Sequence, residues 1–208
     1  MGIVYAAQLK PSKMELVADW LPKQAWFEGD ASSLVRLGSF RFDDPAGEVG
    51  IETHIVGAGD EVYQVPLTYR GTPLAGAEAF LVGTMEHSVL GSRWVYDAAG
   101  DPVYAGELAA ALLAAKPQAV EYKEVDGEMV VLPHTAELSS TGMPDADLPD
   151  LRFGAAVTSG GVTTVPAGPL TLELQRVLDA DATAAVPFLA VTWAGQDVPV
   201  VIATTVPA

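Results

Sequence analysis

The sequence predicts an α+β protein, in which an antiparallel sheet packs on a helix and a second, mostly β subdomain follows. Three observations lead to this prediction. One amphipathic segment begins near residue 13, five strand-like segments separated by turns follow it, and almost everything after residue 117 is typical of β-strands. Because a helix and such a sheet each have an apolar face to bury, we expect the helix to lie across the sheet.

The composition indicates a large core and an acidic surface. Half of the 208 residues are hydrophobic, and 27 acidic residues against 11 basic ones give a net charge of −16. Phosphate backbones and anionic lipids repel such a chain, so we expect no nucleic-acid and no membrane partner. Solubility explains the acidity most simply, and an acidic binding face is the alternative. The absence of cysteine excludes disulfides and thiolate chemistry.

The N-terminal residues lack the basic-then-apolar order of a signal peptide. No apolar run approaches the roughly 20 residues of a membrane helix. We therefore expect a cytoplasmic protein.

The first element is predicted to be a helix over residues 13–21. Ser12 and Glu15 have the spacing of a capping box, and Pro22 ends the segment. Met14 and Val17 share its apolar face.

Five strands should follow this helix. In the second of them Ile51 alternates with Glu52 and His54, so we expect His54, on the polar side of that strand, to be solvated. In the third, Pro66 favours an edge strand or a bulge. The predicted strands are Leu34–Phe42, Val49–Val56, Val62–Arg70, Ala79–His87 and Arg93–Asp97.

A second helix is predicted from Pro102 to about Ala115, with Asp101 as its N-cap. The division that follows it gives subdomains of residues 1–116 and 117–208. Asp126-Gly127 predicts a tight hairpin, and residues 133–149 have the composition of a long loop. The strands predicted beyond the hairpin are Phe153–Thr158, Val162–Val165, Leu170–Leu178, Phe188–Trp193 and Val198–Thr204.

Two patches of sequence carry a family likeness. The first is DWLPKQAWF at residues 19–27, and the second combines VPLTYR at 65–70 with MEHSVLG at 85–91 and RWVYD at 93–97. Both resemble the N-terminal cap of the actinobacterial maltokinases, over roughly residues 10–115. The chain departs from the family pattern at Ala25, where arginine is usual, and at Glu28, where glycine is common. The resemblance implies a cystatin-like fold, a curved antiparallel sheet around one helix.

A fainter likeness concerns the strand LTLELQR at residues 170–176. It is similar to the strand of the kinase's ATP-binding subdomain that carries the phosphate-pairing lysine. Glu173 stands at the lysine position, and a carboxylate there would repel ATP phosphates. The resemblance implies that residues 117–208 are a degenerate kinase N-lobe, which would make the chain pseudokinase-like.

The motifs of phosphoryl transfer and of metal binding are missing from the sequence. It has no GxxxxGK[ST] loop, and none of its three histidines stands in an HxD pattern. The triplet Glu86-His87-Ser88 cannot form a triad within itself, because neighbouring strand residues point to opposite faces. Three scattered histidines give no metal-ligand spacing. We expect no kinase activity, no cofactor and no metal.

The leading hypothesis is a non-catalytic accessory or regulatory protein of trehalose, maltose and glycogen (α-glucan) metabolism, with a protein partner in that pathway or a second copy of itself. We expect its interaction surface to lie near Trp26, Tyr69, Arg70, His87 and Arg93. One alternative is a small carbohydrate-binding module that binds oligosaccharides on exposed aromatic rings. Another is a hydrolase or transferase with carboxylates in a cleft between the two subdomains.

Overall fold

The computed structural model describes residues 2–3 and 6–208, and this described part is mostly β-structure with two α-helices. The helices are α1 (Lys13–Trp20) and α2 (Pro102–Ala114). The strands are β1 (Gly2–Ile3), β2 (Leu9–Lys10), β3 (Val35–Asp43), β4 (Gly50–Ala58), β5 (Glu61–Arg70), β6 (Leu81–His87), β7 (Gly91–Asp97), β8 (Glu121–Val125), β9 (Glu128–Val131), β10 (Ala136–Ser140), β11 (Val157–Ser159), β12 (Val162–Ala167), β13 (Leu170–Gln175), β14 (Val177–Leu178), β15 (Phe188–Trp193) and β16 (Gln196–Pro207). Neither helix is long and apolar enough to cross a membrane.

The larger of two main sheets, which we call the cap sheet, is antiparallel with the order β2-β6-β7-β5-β4-β3. It curls into a half-barrel, and the short strand β14 forms an antiparallel pair with β5. Register shifts between Arg36 and Gly38 and between Leu81 and Gly83 add to the curl, because a bulge increases local twist and bend. The predicted α+β class with an antiparallel sheet on a helix is confirmed at this level.

Helix α1 lies across the cap sheet, as predicted. The Ser12 hydroxyl accepts a hydrogen bond from the Glu15 amide, and the Glu15 carboxylate accepts one from the Ser12 amide, which completes the capping box. A 3₁₀ turn, Leu21–Lys23, replaces the last predicted helical residue. The core under α1 consists mainly of Leu16, Val17, Trp20, Leu21, Val56, Tyr63, Val65, Leu67, Met85 and Val95.

The second sheet has the order β10-β15-β16-β13-β12-β11 and is also antiparallel. Helix α2 packs between β3 of the cap sheet and β15 and β16 of the second sheet. The Asp101 carboxylate caps it by accepting from the Val103 amide at 3.0 Å. Because α2 is covered on several sides, it is apolar around most of its circumference. Its Leu108 and Leu112 join residues from both sides of the predicted 116/117 division in one core; the division stays a prediction.

Three local predictions need comment. Pro66 is not on an edge strand, since β5 is interior, but it lies between the parts of β5 that pair with β14 and with β7. The missing N–H therefore falls at a local gap. The predicted loop 133–149 contains β10, whose partner β15 is about 50 residues away and so leaves no local signal. The Asp126-Gly127 hairpin is confirmed, with φ of 52° and 84°.

Candidate functional site

A groove of about 600 Å³ opens on the α1 side of the cap sheet. It lies between the start of α1, the β3–β4 turn and the end of the β6–β7 hairpin. Its volume falls within the roughly 300–1,000 Å³ of small-molecule sites. The charged side chains that line it are Lys13, Arg41, Asp43, Asp44, Glu48 and Arg93, and Tyr69 and His87 lie among them.

The β3–β4 turn forms one wall of the groove and is held rigidly. The Asp44 carboxylate accepts hydrogen bonds from the amides of Ala46, Glu48 and Val49 at 2.8–3.0 Å. Burial opposes ionisation of Asp44, but these three amides outweigh it and lower the pKa of the carboxyl. Gly47, with φ of 71°, supplies the left-handed residue that the turn requires.

A buried polar cluster lies beneath the groove. The Lys13 ammonium binds the Glu52 carboxylate, and His54 Nε2 lies 3.3 Å from the Tyr69 hydroxyl. Glu52 is 4% exposed and His54 is 0% exposed, so the prediction that His54 is solvated is wrong. Because α1 covers one face of β4 and the α2 core covers the other, neither side of the strand reaches bulk water.

The protonation states in this cluster follow from its burial and charges. Burial raises the pKa of Glu52, but His54, Lys13 and Arg41 lower it more, to about 2. Burial lowers the pKa of His54 to about 4, so its imidazole is neutral at pH 7. Burial also raises the pKa of the Tyr69 hydroxyl. The cluster is thus a carboxylate, a neutral imidazole and a neutral phenol.

This arrangement of hydroxyl, imidazole and carboxylate positions side chains and does not activate a nucleophile. The His54 Nδ1 to Glu52 Oε1 distance is 3.8 Å, too long for a hydrogen bond, and Nδ1 has no partner in the described residues. A phenol with a raised pKa is a poor nucleophile. The consequence of the cluster is that Tyr69 and Lys13 are fixed at the base of the groove, with the Lys13 ammonium 5.2 Å from the Tyr69 ring centroid.

Three of the five residues predicted for the interaction surface meet in this groove: Tyr69, His87 and Arg93. His87 Nδ1 accepts hydrogen bonds from the amides of Val89 and Leu90 at 3.2 and 3.1 Å. Burial lowers the pKa of His87, the positive charges of Arg93 and Lys13 lower it further, and a backbone hydrogen bond opposes them only in part. The imidazole is therefore neutral at pH 7 and shapes the hairpin end.

The other two predicted residues lie elsewhere. Arg70 donates two hydrogen bonds of 2.7 Å to Asp101, the N-cap of α2, and so ties the sheet to the helix. Trp26 packs on Trp20 and Tyr63 with centroid distances of 6.1 and 6.0 Å. The Arg176 guanidinium lies 5.6 Å from the centroid of the Trp26 ring.

Trp26 borders a second concavity of about 620 Å³, between the cap sheet and the β11–β12 turn. Its two carboxylates, Glu28 and Glu61, are exposed to solvent. Exposed carboxylates lack the burial that shifts a catalytic acid toward neutral pH. This concavity therefore gives the predicted hydrolase or transferase cleft no support.

Glu173, the residue at the predicted lysine position, lies on β13 between the core residues Leu172 and Leu174 and points to the opposite face. Its Oε2 accepts a hydrogen bond of 2.9 Å from the Thr204 hydroxyl on neighbouring β16. Within the described residues no three histidine or acidic side chains come together as metal ligands.

Four residues of the groove and its base were missed by the sequence reasoning: Lys13, Arg41, Glu52 and His54. The alternation of β4 had placed Glu52 and His54 on one face. The same sequence predicts a helix across the sheet, and a helix that covers that face buries its polar residues. The two predictions, taken together, could have identified this buried cluster from the sequence.

Comparison with known proteins bears on the cap half of the chain. Residues 20–101 match the family model described as the maltokinase N-terminal cap domain. The match runs from the end of α1 to the N-cap of α2 and includes Tyr69, His87 and Arg93. No curated protein matches the chain. The chain therefore contains a maltokinase N-terminal cap domain at residues 20–101.

Proposed function

We propose that this chain is a non-catalytic accessory or regulatory protein of α-glucan metabolism and that it acts through the groove of its cap sheet. The observation that carries the proposal is the cap-domain match, because Tyr69, His87 and Arg93 all fall within it and share one groove. Metabolism of maltose, trehalose and glycogen is the setting that the name maltokinase suggests. The curved sheet with α1 across it is also consistent with the cystatin-like arrangement that we propose for this domain.

The second sheet supports the view of a degenerate kinase N-lobe. In protein kinases a glycine-rich loop precedes a lysine-bearing third strand, and the lysine pairs with a glutamate of the following helix. Here the Gly160-Gly161 turn joins β11 to β12, and the next strand, β13, carries Glu173. The described residues between β14 and β15 contain no helix. We propose that this sheet has kept a scaffold role without binding nucleotide.

Affinity capture tests the proposal. The tagged chain is incubated with a lysate of its own host, and bound proteins are quantified by mass spectrometry. We expect an enzyme of maltose, trehalose or glycogen metabolism among them, with its activity changed by addition of the purified chain. Recovery of no such enzyme, together with no effect on purified pathway enzymes, would contradict the proposal.

A pair of variants links the result to the groove. Arg93→Glu reverses a charge in the groove, whereas Lys123→Glu reverses one on the exposed β8–β9 hairpin. The amount of captured pathway enzyme should fall for Arg93→Glu and remain unchanged for Lys123→Glu. Equal capture by both would place the contact outside the groove.

The carbohydrate-binding alternative finds little support at Trp26. A sugar platform needs an accessible aromatic face, but Trp26 packs on two other rings and a guanidinium. Fluorescence titration with maltose and maltodextrins checks this alternative directly. Homodimerisation stays a prediction, and sedimentation of the purified chain measures it.

A further inference from the structure

Two arginines in the groove have no ion-pair partner within the described part of the chain. Arg41 lies opposite Glu52 on the neighbouring strand, but the Glu52 carboxylate is bound by Lys13. Arg93 Nη1 makes a long hydrogen bond of 3.3 Å to the Ser92 carbonyl oxygen. Both side chains are half-buried, and a half-buried guanidinium that makes no direct ion pair loses part of its hydration without a full set of hydrogen bonds in return.

Arg70 and Arg176, a half-buried and a buried arginine away from the groove, each form a direct ion pair. Arg176 is 0% exposed and binds both carboxylate oxygens of Asp97 at 2.9 and 2.8 Å. Arg70 makes a two-bond fork with Asp101. Carboxylates are near, since Asp43, Asp44 and Glu48 line the same groove, but none of them forms an ion pair with Arg41 or Arg93 within the described residues. Their open forks are what a bound anion requires.

The rest of the groove suits hydroxyl groups and an apolar ring face. Glu48 is an exposed acceptor on the β3–β4 turn, and its carboxylate has no hydrogen-bond partner in the described residues. Leu9, Met85 and Leu90 provide apolar surface in the same groove. A ligand that is all anion would leave this wall unused, and a volume of about 600 Å³ suits a small molecule that carries both an anion and hydroxyl groups.

We infer that the groove binds a small polyhydroxylated anion of the sugar phosphate class. Arg41 and Arg93 bind the phosphate, Lys13 adds positive charge at the base, and Glu48 accepts hydrogen bonds from sugar hydroxyls. This inference rests on the proposed function, because it names the ligand whose binding in the groove would control the chain as a regulatory protein. It differs from a carbohydrate-binding module, which recognises neutral sugar on aromatic faces.

Isothermal titration calorimetry of the purified full chain tests the inference with three probes: glucose 1-phosphate, maltose and inorganic phosphate. We expect glucose 1-phosphate to bind at least tenfold more tightly than either of the other two. Arg93→Gln and Arg41→Gln should each weaken it about tenfold or more, and Lys123→Gln on the exposed hairpin should leave it unchanged. Circular dichroism and thermal unfolding confirm that each variant is folded.

Several outcomes would overturn the inference. Equal binding of maltose and glucose 1-phosphate would show a neutral-sugar site, and equal binding of inorganic phosphate would show an anion site without sugar recognition. No binding at millimolar concentration would remove the site. Should one arginine variant fail to fold, the other arginine variant decides. Because calorimetry needs no partner, its failure and the failure of affinity capture are separate results.

Discussion

Charged side chains have different roles in the groove and in the contacts that join the two sheets. We call the seam the set of contacts by which the cap sheet holds α2 and the second sheet, made by Gln64, Arg70, Asp97, Asp101 and Arg176. There every charged group has an opposite charge at 2.7–2.9 Å, and the Gln64 side-chain amide donates to two backbone carbonyls. In the groove Arg41 and Arg93 form no ion pair with any described residue, and the Asp44 carboxylate holds the β3–β4 turn by accepting from three backbone amides.

This difference indicates which region of the molecule is held rigid. A buried charge in a direct ion pair resists change, since loss of one partner leaves the other unpaired in low dielectric. A half-buried charge without a partner can exchange water for a ligand at small cost. The seam therefore stabilises the joint of the two sheets, whereas the arginines of the groove have the character that our proposed anion site requires.

The largest expected effect is on the seam. Asp97→Asn removes the charge that neutralises the fully buried Arg176. We expect a loss of about 3–5 kcal/mol in the free energy of unfolding, because an unpaired buried charge remains. Urea unfolding measures the change.

Asp150→Asn is the matched control for this change. It breaks an ion pair with Arg152 whose side chains are 79% and 84% exposed. We expect it to alter stability by less than about 1 kcal/mol. A similar small effect from Asp97→Asn would show that the seam carries no special stability and would end the contrast with the groove.

The second effect is pH dependence at the base of the groove. An unfolded histidine takes up a proton near pH 6.5, whereas folded His54 does so near pH 4. The unfolded state therefore binds more protons in between, and stability falls as the pH drops from 6.5 to 4. The shift corresponds to up to about 3 kcal/mol. Glu52, with its folded pKa lowered to about 2, adds stability that is present above pH 4.5 and lost between 4.5 and 2.

Urea unfolding from pH 7 to pH 4 measures this dependence. His54→Gln should flatten the curve between pH 6.5 and 4 relative to that of the unaltered protein. The comparison of slopes holds even when a variant lowers overall stability. A slope identical to that of the unaltered protein would mean that His54 is solvated, as the strand pattern alone predicts.

Prediction from sequence worked where a local rule governs the chain. The capping box of α1 and the Asp126-Gly127 hairpin follow from contacts within four residues, and both are confirmed. The cap likeness was also visible, because the residues around 65–70 and 85–97 are unusual in combination. Three of the five surface residues proposed from it share the groove.

Prediction failed where distant segments decide the environment. Alternation along β4 gives the two faces of the strand, but burial of His54 depends on α1 and on the α2 core, which lie far away in sequence. Arg70 was placed on a surface because nothing local indicates its partner Asp101, 31 residues further on. The strand β10 was missed for the same reason.

A smaller effect tests the rigidity of the groove wall. Gly47 has φ of 71° in the β3–β4 turn, and alanine disfavours this region, so Gly47→Ala should cost about 1 kcal/mol. It should also weaken glucose 1-phosphate binding, because it distorts the turn that presents Glu48. Gly76→Ala, with φ of 80° outside the groove, is the control and should lower stability without affecting binding. Binding unchanged in both variants would separate the turn from the groove.

The smallest effect concerns Gly106, which lies within α2 and near the Phe153 ring. A methyl group there would meet only the Phe153 ring, at 3.9 Å, which is an ordinary contact. Because glycine in a helix is less favourable than alanine, Gly106→Ala should raise the free energy of unfolding by about 0.5–1 kcal/mol. Gly142→Ala is the matched opposite, since its methyl group would lie 2.4 Å from the Leu112 carbonyl oxygen and should destabilise the protein. Thermal unfolding of both variants shows whether the packing around α2 has room for a methyl group at Gly106 and none at Gly142. Destabilisation by Gly106→Ala would mean that the packing around Gly106 is tighter than these distances indicate.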